Sequence, residues 1–399
     1  MVFAINSGDM SFPILFIDQF GTFGGGQKVL WIVLQSLVPT HYAPVIALNG
    51  DGSFRKTLAA SGYQVIDLAI GTYQSGKKSN TDELRFLWRT ALCALQLALY
   101  IVRRDIRLLY ANGPRTFVCA CIAGKLTHRP VIWHLHNVLA SSGQVRLLAF
   151  FAGWVHQILT CSEAVAQRLL TARPELRSRI TVIHNPMPRW TNSSTRQEVQ
   201  KHLIAPPEHV GIGILGRITP FKGQLQFAQA ARLVIQEVQQ VHFWIMGSPA
   251  TGDHQDRQYF EQIRSFVKDS RLEQRFSFVG HQPDVRPYYD VLDIVVVASQ
   301  GPEAFGMTVL EAMSLAKAVI APRAGGIDEL VEDEHTALLV TEASPEALAA
   351  KILDLLRDSE KRGRLGKNAR EVAQARFSAD AFEEKIQRIL NSALRHASC

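Results

Sequence analysis

Short apolar, β-branched runs alternate with longer helix-like stretches along most of the chain. Examples of the runs expected as strands are Ile14–Ile17, Val45–Leu48, Leu108–Tyr110, Val131–His134, Ile158–Thr160 and Val182–His184. They continue with Gly211–Leu215, His242–Met246, Phe276–Val279, Ile294–Val297 and Ala318–Ala321. Between them Gln27–Leu37, Leu84–Val102, Leu225–Glu237, Gln258–Lys268 and Val309–Ser314 read as helices. Strands that alternate with helices imply parallel sheets covered on both faces. There are too many strands for one doubly wound sheet. The pattern breaks near Asn185–His209, where Pro186, Pro188, the polar run Thr191–Thr195 and Pro206-Pro207 intervene. The expected architecture is α/β, with two Rossmann-like domains at residues 1–187 and 188–376. From Pro345 onward no strand pattern remains. A last helix over about Ala379–Leu394 has no strand of its own to cover, so residues 377–399 are expected to complete the first domain.

Length and composition leave this picture intact. The 399 residues suit two domains at roughly 100–200 residues each. With 47% apolar and 20% charged residues the chain is an ordinary globular one, large enough to bury a core without staples. Cys93, Cys119, Cys121, Cys161 and Cys399 form no CxxC pair, and an odd number of cysteines reads as free thiols in a reducing compartment. Met1–Met10 lacks a basic start followed by an apolar run, and no uninterrupted apolar stretch reaches about 18 residues. The two longest, Ala91–Val102 and Leu147–Val155, read as buried core helices. The expected location is therefore the cytoplasm.

Charge adds a second expectation. Residues 1–187 hold 18 Lys and Arg against 9 Asp and Glu, whereas residues 188–399 hold 25 against 27. The surplus includes Lys77-Lys78, Arg85, Arg89, Arg103-Arg104 and Arg107. It points to an anionic partner for the first domain, such as a membrane surface, a lipid phosphate or a nucleic acid. No base-reading motif accompanies it, which sets nucleic acid aside; peripheral association with the inner face of an anionic membrane is one expectation, and a solvated basic surface with no partner is the other.

Four motifs sit just after strands, where open α/β sheets bind ligands. Gly24-Gly25-Gly26-Gln27 opens a helix, permits close backbone approach and offers N–H groups to an anion, although a plain tight turn has the same pattern. Gly216-Arg217 and Lys222-Gly223 follow Gly211–Leu215. Their two cations, five residues apart, suit one diphosphate, or else a salt-bridged loop. The segment Glu303 to Glu311 follows Ile294–Val297, with Glu303 on a loop and Glu311 inside a helix starting near Gly306–Thr308. The N–H groups of that helix end point toward a ligand, Glu303 reaches a sugar and Glu311 reaches ribose hydroxyls. His134-Leu135-His136-Asn137 closes a strand. There His136 is placed to donate to a sugar hydroxyl or act as an acid or base, with His134 deeper. No DxD pair occurs, and the acidic triplet Glu332-Asp333-Glu334 reads as a helix end. A bridging divalent metal is not required, because Arg217, Lys222 and a helix N-terminus can neutralise a leaving diphosphate.

Together these residues resemble the retaining GT-B glycosyltransferases of family GT4. The resemblance is strongest over Gly211–Val340. It rests on Gly216–Gly223, Phe278-Val279-Gly280, the E-x7-E motif from Glu303 to Glu311, Glu311-Ala312-Met313, and Ala324-Gly325-Gly326 with Glu329; it is fainter at Gly24-Gly25 and His136-Asn137. It implies two Rossmann-like domains whose parallel sheets face across a cleft. It also implies hexosyl transfer, with retention, from a nucleotide-diphosphate sugar to a glycan or lipid-linked acceptor in cell-surface polysaccharide or glycolipid synthesis, without cofactor or metal. By the same resemblance, Gly216, Arg217 and Lys222 would meet the donor diphosphate, Glu311 the ribose and Glu303 the donor sugar. Phe305, Gly306, Met307 and Thr308 would supply backbone N–H groups, and Val279 and Gly280 would lie against the base. Gly24, Gly25 and Gly26 would close over the diphosphate from the opposite domain, and His136 would touch the sugar. Three departures stand out. The usual A-x-G-x-P-V becomes Leu315-Ala316-Lys317-Ala318-Val319 at its end, G-x-x-G-L-L becomes Glu334-His335-Thr336-Ala337-Leu338-Leu339, and Gln27 replaces a common Glu. The alternatives are an epimerase or phosphorylase on the same fold, or a non-catalytic nucleotide-binding relative.

Overall fold

The computed structural model describes residues 11–37, 42–71, 80–139, 141–190, 208–250 and 252–397. Met1–Met10, Lys77, Lys78, Thr191–Thr195, Pro206, Pro207 and Cys399 lie outside them. The chain forms two compact units. One is Met1–Asn185 with Asp380–Cys399, the other Pro186–Ala379.

The first unit runs β1 (Phe12–Asp18), α1 (Gly25–Ser36), β2 (Tyr42–Leu48), α2 (Ser53–Ala60), β3 (Gln64–Asp67), α3 (Asn80–Arg103), β4 (Leu108–Asn112) and α4 (Pro114–Thr127). It continues through β5 (Val131–Leu135), α5 (Ser142–Phe151), β6 (Gln157–Thr160), α6 (Glu163–Ala172) and β7 (Ile180–Val182). The sheet order is β3-β2-β1-β4-β5-β6-β7, all parallel. Ile14–Ile17, Leu108–Ala111 and Val131–Leu135 are buried in every residue. Strands covered by helices on both faces need such unbroken apolar runs.

The second unit runs β8 (Val210–Leu215), α7 (Gln224–Glu237), β9 (Val241–Met246), α8 (His254–Asp269), β10 (Phe276–Gly280), α9 (Arg286–Asp290), β11 (Ile294–Val296) and α10 (Met307–Ser314). It ends with β12 (Ala318–Pro322), β13 (Leu338–Val340), α11 (Pro345–Arg357) and α12 (Ser359–Arg376). Its parallel sheet has the order β10-β9-β8-β11-β12-β13. The last helix, α13 (Ala379–Ala397), places Phe382, Ile386, Leu390, Ala393 and Leu394 in the core of the first unit beside Val29, Leu30 and Leu34.

Four expectations need correction. Strands β3 and β13 went unforeseen. They are edge strands of four and three residues, and the Gln64–Asp67 strand is at most half-buried, so neither leaves a sustained pattern. Strand β7 occupies Ile180–Val182 rather than Val182–His184, although Ile183 N still donates to Thr160 O at 2.8 Å. Glu332–Glu334 is a tight turn, not a helix end. Glu334 takes φ +59°, and Asp333 Oδ1 accepts from the N–H groups of Glu334 and Leu339. The apolar segments Ala91–Val102 and Leu147–Val155 are only half core. Leu92, Leu95, Leu99, Val102, Leu147, Phe150 and Trp154 are exposed. Moreover Arg85–Arg103 has the length and composition of a membrane-crossing helix, since Arg85, Arg89, Thr90, Gln96 and Arg103 interrupt it without lowering its mean hydropathy far.

Candidate active site

Each sheet reverses its winding beside its first strand. β1 lies between β2 and β4, and β8 lies between β9 and β11. Loops leave such a pair toward opposite faces and open a crevice beyond the carboxyl ends, the usual ligand position in this class of sheet.

In the second unit the β8 loop carries Gly216, Arg217 and a 3₁₀ turn at Pro220–Lys222, then passes through Gly223 into α7. Gly223 has φ +71°, and a Cβ there would come within 1.9 Å of Ala298 O, so the loop can press against the end of β11 only with glycine. That approach brings Lys222 Nζ to 2.6 Å from Glu303 Oε1. Ser299 Oγ donates to the same oxygen. Among the described residues both partners of the carboxylate therefore sit on Oε1, and Oε2 takes none. Glu303 is fixed from behind, its carbonyl accepting from Gly326 N at 2.8 Å. Three residues later Gly306, at φ +97°, is the N-cap of α10, and as glycine it offers no side chain to the first helical turn. The positive end of that helix thus starts close to a buried, lysine-paired carboxylate.

Glu311 lies a turn further along α10 and is buried. Its Oε2 accepts from the Tyr289 hydroxyl at 2.8 Å. Burial, and then the neighbouring Glu311 charge, hold the Tyr289 hydroxyl well above its ordinary pKa, so it stays a donor. Arg217 is different. Its side chain is 65% exposed and among the described residues reaches only Asp256, at 3.9 Å, a weak pair that leaves it able to turn toward an anion. Gly216 and Arg217 are positioned by Gly216 N donating to Met246 O and Gln224 Nε2 donating to Arg217 O, both at 2.9 Å.

In the first unit the corresponding crevice holds a buried polar network. Asp18 ends β1 and pairs in register with Asn112, which ends β4. Asp18 accepts from Asn112 Nδ2, from Gln27 Nε2 at 2.8 Å and from Phe20 N at 2.8 Å. Burial nevertheless raises its pKa to about 6. Asn112 Oδ1 lies 2.8 Å from His136 Nε2, which assigns the proton to Nε2 and leaves Nδ1 an acceptor with no partner among the described residues. Tyr110 OH and His134 Nδ1 share a hydrogen bond of 2.6 Å. The two imidazole rings lie 3.9 Å apart between centroids. Burial lowers the pKa of His136 to about 3; burial first and then His136 hold His134 well below its ordinary value. At neutral pH His136 is a neutral acceptor, not a cationic acid. Gly26 allows this packing, since a Cβ there would stand 3.2 Å from the His136 ring.

Two family models match in tandem. Glycosyltransferase Family 4 covers residues 23–188, and Glycosyl transferases group 1 covers residues 195–372. The chain belongs to the group 1 glycosyltransferases. Its two parallel-sheet units are those of the GT-B fold. HepE of Anabaena, solved with UDP and glucose, is 26% identical with a TM-score of 0.79, over 95% of this chain and 99% of that one; it has also been solved with UDP-glucose. The Bacillus subtilis spore coat protein SA is 27% identical over 58% of this chain and 64% of its own length. The lipopolysaccharide core biosynthesis mannosyltransferase LpcC of Rhizobium leguminosarum is 29% identical over 47% of this chain and 52% of its own. The chain thus spans about half to two thirds of the length of these curated relatives.

In this glycosyltransferase the structure gathers Lys222, Glu303 and the start of α10 (Gly306, Met307, Thr308) at one place, with Glu311 deeper on the same helix. Phe305 turns its ring into the core against Phe377, with 6.0 Å between ring centroids, so its side chain is not available to a ligand. Val279 and Gly280 end the edge strand β10, where Gln282 Nε2 donates to the Val279 carbonyl at 3.0 Å. Gly24 caps α1 without a side-chain partner, and Gly25 and Gly26 form its first turn beside His136. Ser299, Tyr289, Asp18 and Asn112 were not foreseen. A polar residue closing an apolar strand was a usable signal for Asp18 and Asn112. Ser299, just past β11, offered a weaker one, and nothing in the local spacing singles out Tyr289. Among the described residues no group of three or more His, Cys, Asp or Glu side chains could hold a metal ion.

Proposed function

We propose that this glycosyltransferase moves a hexosyl group from a nucleoside-diphosphate sugar to a glycan or lipid-linked acceptor with retention of configuration. The observation that carries this reading is Glu303, a buried carboxylate whose Oε1 is taken by Lys222 and Ser299 while Oε2 stays open. Oε2 would accept from a hydroxyl of the donor sugar. Lys222, Arg217 and the α10 terminus would meet the diphosphate as charge develops on it, worth about 10²–10³ in turnover for one such donor. Glu311 and Tyr289 would bind the ribose hydroxyls. In the first unit His136 Nδ1 would accept from a sugar hydroxyl. The departing oxygen would take the acceptor proton. The cations make a metal unnecessary in this scheme, so chelation should leave the rate unchanged.

UDP-glucose is the first donor to try, because HepE has been solved with it. The name of LpcC favours a lipid-linked glycan as acceptor. A thermal-shift screen of UDP, GDP, ADP and their sugars should single out one base. Release of the nucleotide should then fall about 10²–10³-fold in Lys222→Ala. Unchanged turnover in that variant would overturn the scheme, and an inverted anomeric configuration by proton NMR would overturn retention.

A further inference from the structure

Ten of the twelve large hydrophobic side chains exposed among the described residues lie between Leu87 and Trp154. On α3 they are Leu87, Trp88, Leu92, Leu95, Leu99 and Val102. From Trp88 the spacing is four, three, four and three residues, which puts five of them in one stripe along the helix. The opposite face, with Cys93, Leu97 and Ile101, is buried in the unit. Leu126 on α4 and Leu147, Phe150 and Trp154 in and after α5 continue the exposed set; Trp88 is 65% and Phe150 61% exposed. The helices α3, α4 and α5 join β3 to β4, β4 to β5 and β5 to β6, always moving in the same direction across the sheet. Right-handed crossovers therefore place all three on one face.

Charge on this segment is one-sided. Residues 84–154 hold nine Lys and Arg and a single acidic residue, Asp105, which is already paired with Arg107 at 2.7 Å and Arg129 at 3.0 Å. Helical spacing puts Arg85, Arg89 and Arg103 along one flank of the stripe. A second copy of the chain on a two-fold axis would set these cations against themselves. An anionic bilayer surface complements both features, the apolar stripe entering the acyl boundary and the arginines meeting headgroup phosphates.

We propose that the α3–α5 face of the first unit lies on an anionic lipid bilayer, with Trp88, Leu92, Leu95, Leu99 and Val102 inserted at the interface. The helix lies on the membrane rather than crossing it, because crossing would strip Cys93, Leu97 and Ile101 from their core. The proposal is independent of the transfer reaction.

Sedimentation of the full chain with vesicles tests it without any sugar donor. Binding is expected to vesicles of phosphatidylglycerol and phosphatidylcholine and not to phosphatidylcholine alone. A Trp88→Glu, Leu95→Glu double variant should partition at least about tenfold less. Arg85→Ala with Arg103→Ala should lose about fivefold per arginine, with unchanged circular dichroism and melting. No binding, equal binding to both vesicles, or variants that bind like the parent would overturn it. So would a dimer in ultracentrifugation that Leu95→Glu dissolves, since the face would then belong to a second copy.

Discussion

The two units place different chemistry at the same topological position. In the second, the loops after β8 and β11 hold a buried ion pair, Lys222 with Glu303, beside a helix end. In the first, the ends of β1, β4 and β5 hold Asp18, Asn112 and two imidazoles that burial keeps neutral. One crevice is charged and compensated from within; the other excludes cationic charge from its histidines.

The largest expected effect sharpens this comparison in the second unit. Glu303→Gln should lower turnover about 10²-fold, close to Lys222→Ala, because each leaves the other partner unmatched in a partly buried place. The two changes combined should cost little more than the worse of them, as groups acting as a unit do. Fully additive losses would show that Lys222 and Glu303 work separately and would break the contrast with the first unit.

The first unit should answer to pH, as should His242 of the second unit, whose pKa burial lowers to about 4. His134, His136 and His156 all have pKa values lowered by burial. A lowered folded value contributes stability above the ordinary 6.5 that is lost as pH falls toward the folded value. Asp18, raised to about 6, works the other way, its burial cost fading as pH falls through 6 toward 4. With three histidines against one aspartate, acidification from pH 7.5 to 5 should lower the melting temperature. His136→Gln should recover about 1–2 kcal/mol of that loss. An identical acid slope in parent and variant would remove the neutral imidazole from the comparison.

How much of this was legible depended on run length and on register. The central strands were readable because Ile14–Ile17 and His242–Met246 are unbroken buried runs. Edge strands β3 and β13 were not, being too short to carry a period. Lys222, Glu303 and Gly306 were readable because loop glycines and charges at fixed spacing are local. Their contact at 2.6 Å was not, since it depends on Gly223 seating the loop against Ala298. The Asp18–Asn112 pair joins residues far apart in the chain through sheet register, which no local pattern encodes. The exposed face of α3 was missed because apolar composition alone does not say which side is covered.

The smallest effect concerns the backbone of the second unit, where two non-glycine residues occupy places at which the family resemblance expects glycine. Ala316 has φ +54° and Glu334 φ +59°, both in the left-handed region. Glu334 has compensation. Its carboxylate takes Lys361 at 2.7 Å and Lys351 at 3.3 Å, which also holds its pKa below the ordinary value. A methyl group offers Ala316 nothing comparable. Relief of the left-handed strain, about 1 kcal/mol or more, should outweigh the extra unfolded-state freedom of glycine. Ala316→Gly is therefore expected to stabilise by about 0.5 kcal/mol, a rise of about 1–2 °C in the second unit's melting. Glu334→Gly should gain nothing, since the relief is offset by two lost ion pairs. If both substitutions stabilise equally in a thermal melt, the lysines contribute nothing at Glu334, and the paired charges of this unit matter only where they are buried, at Lys222 and Glu303.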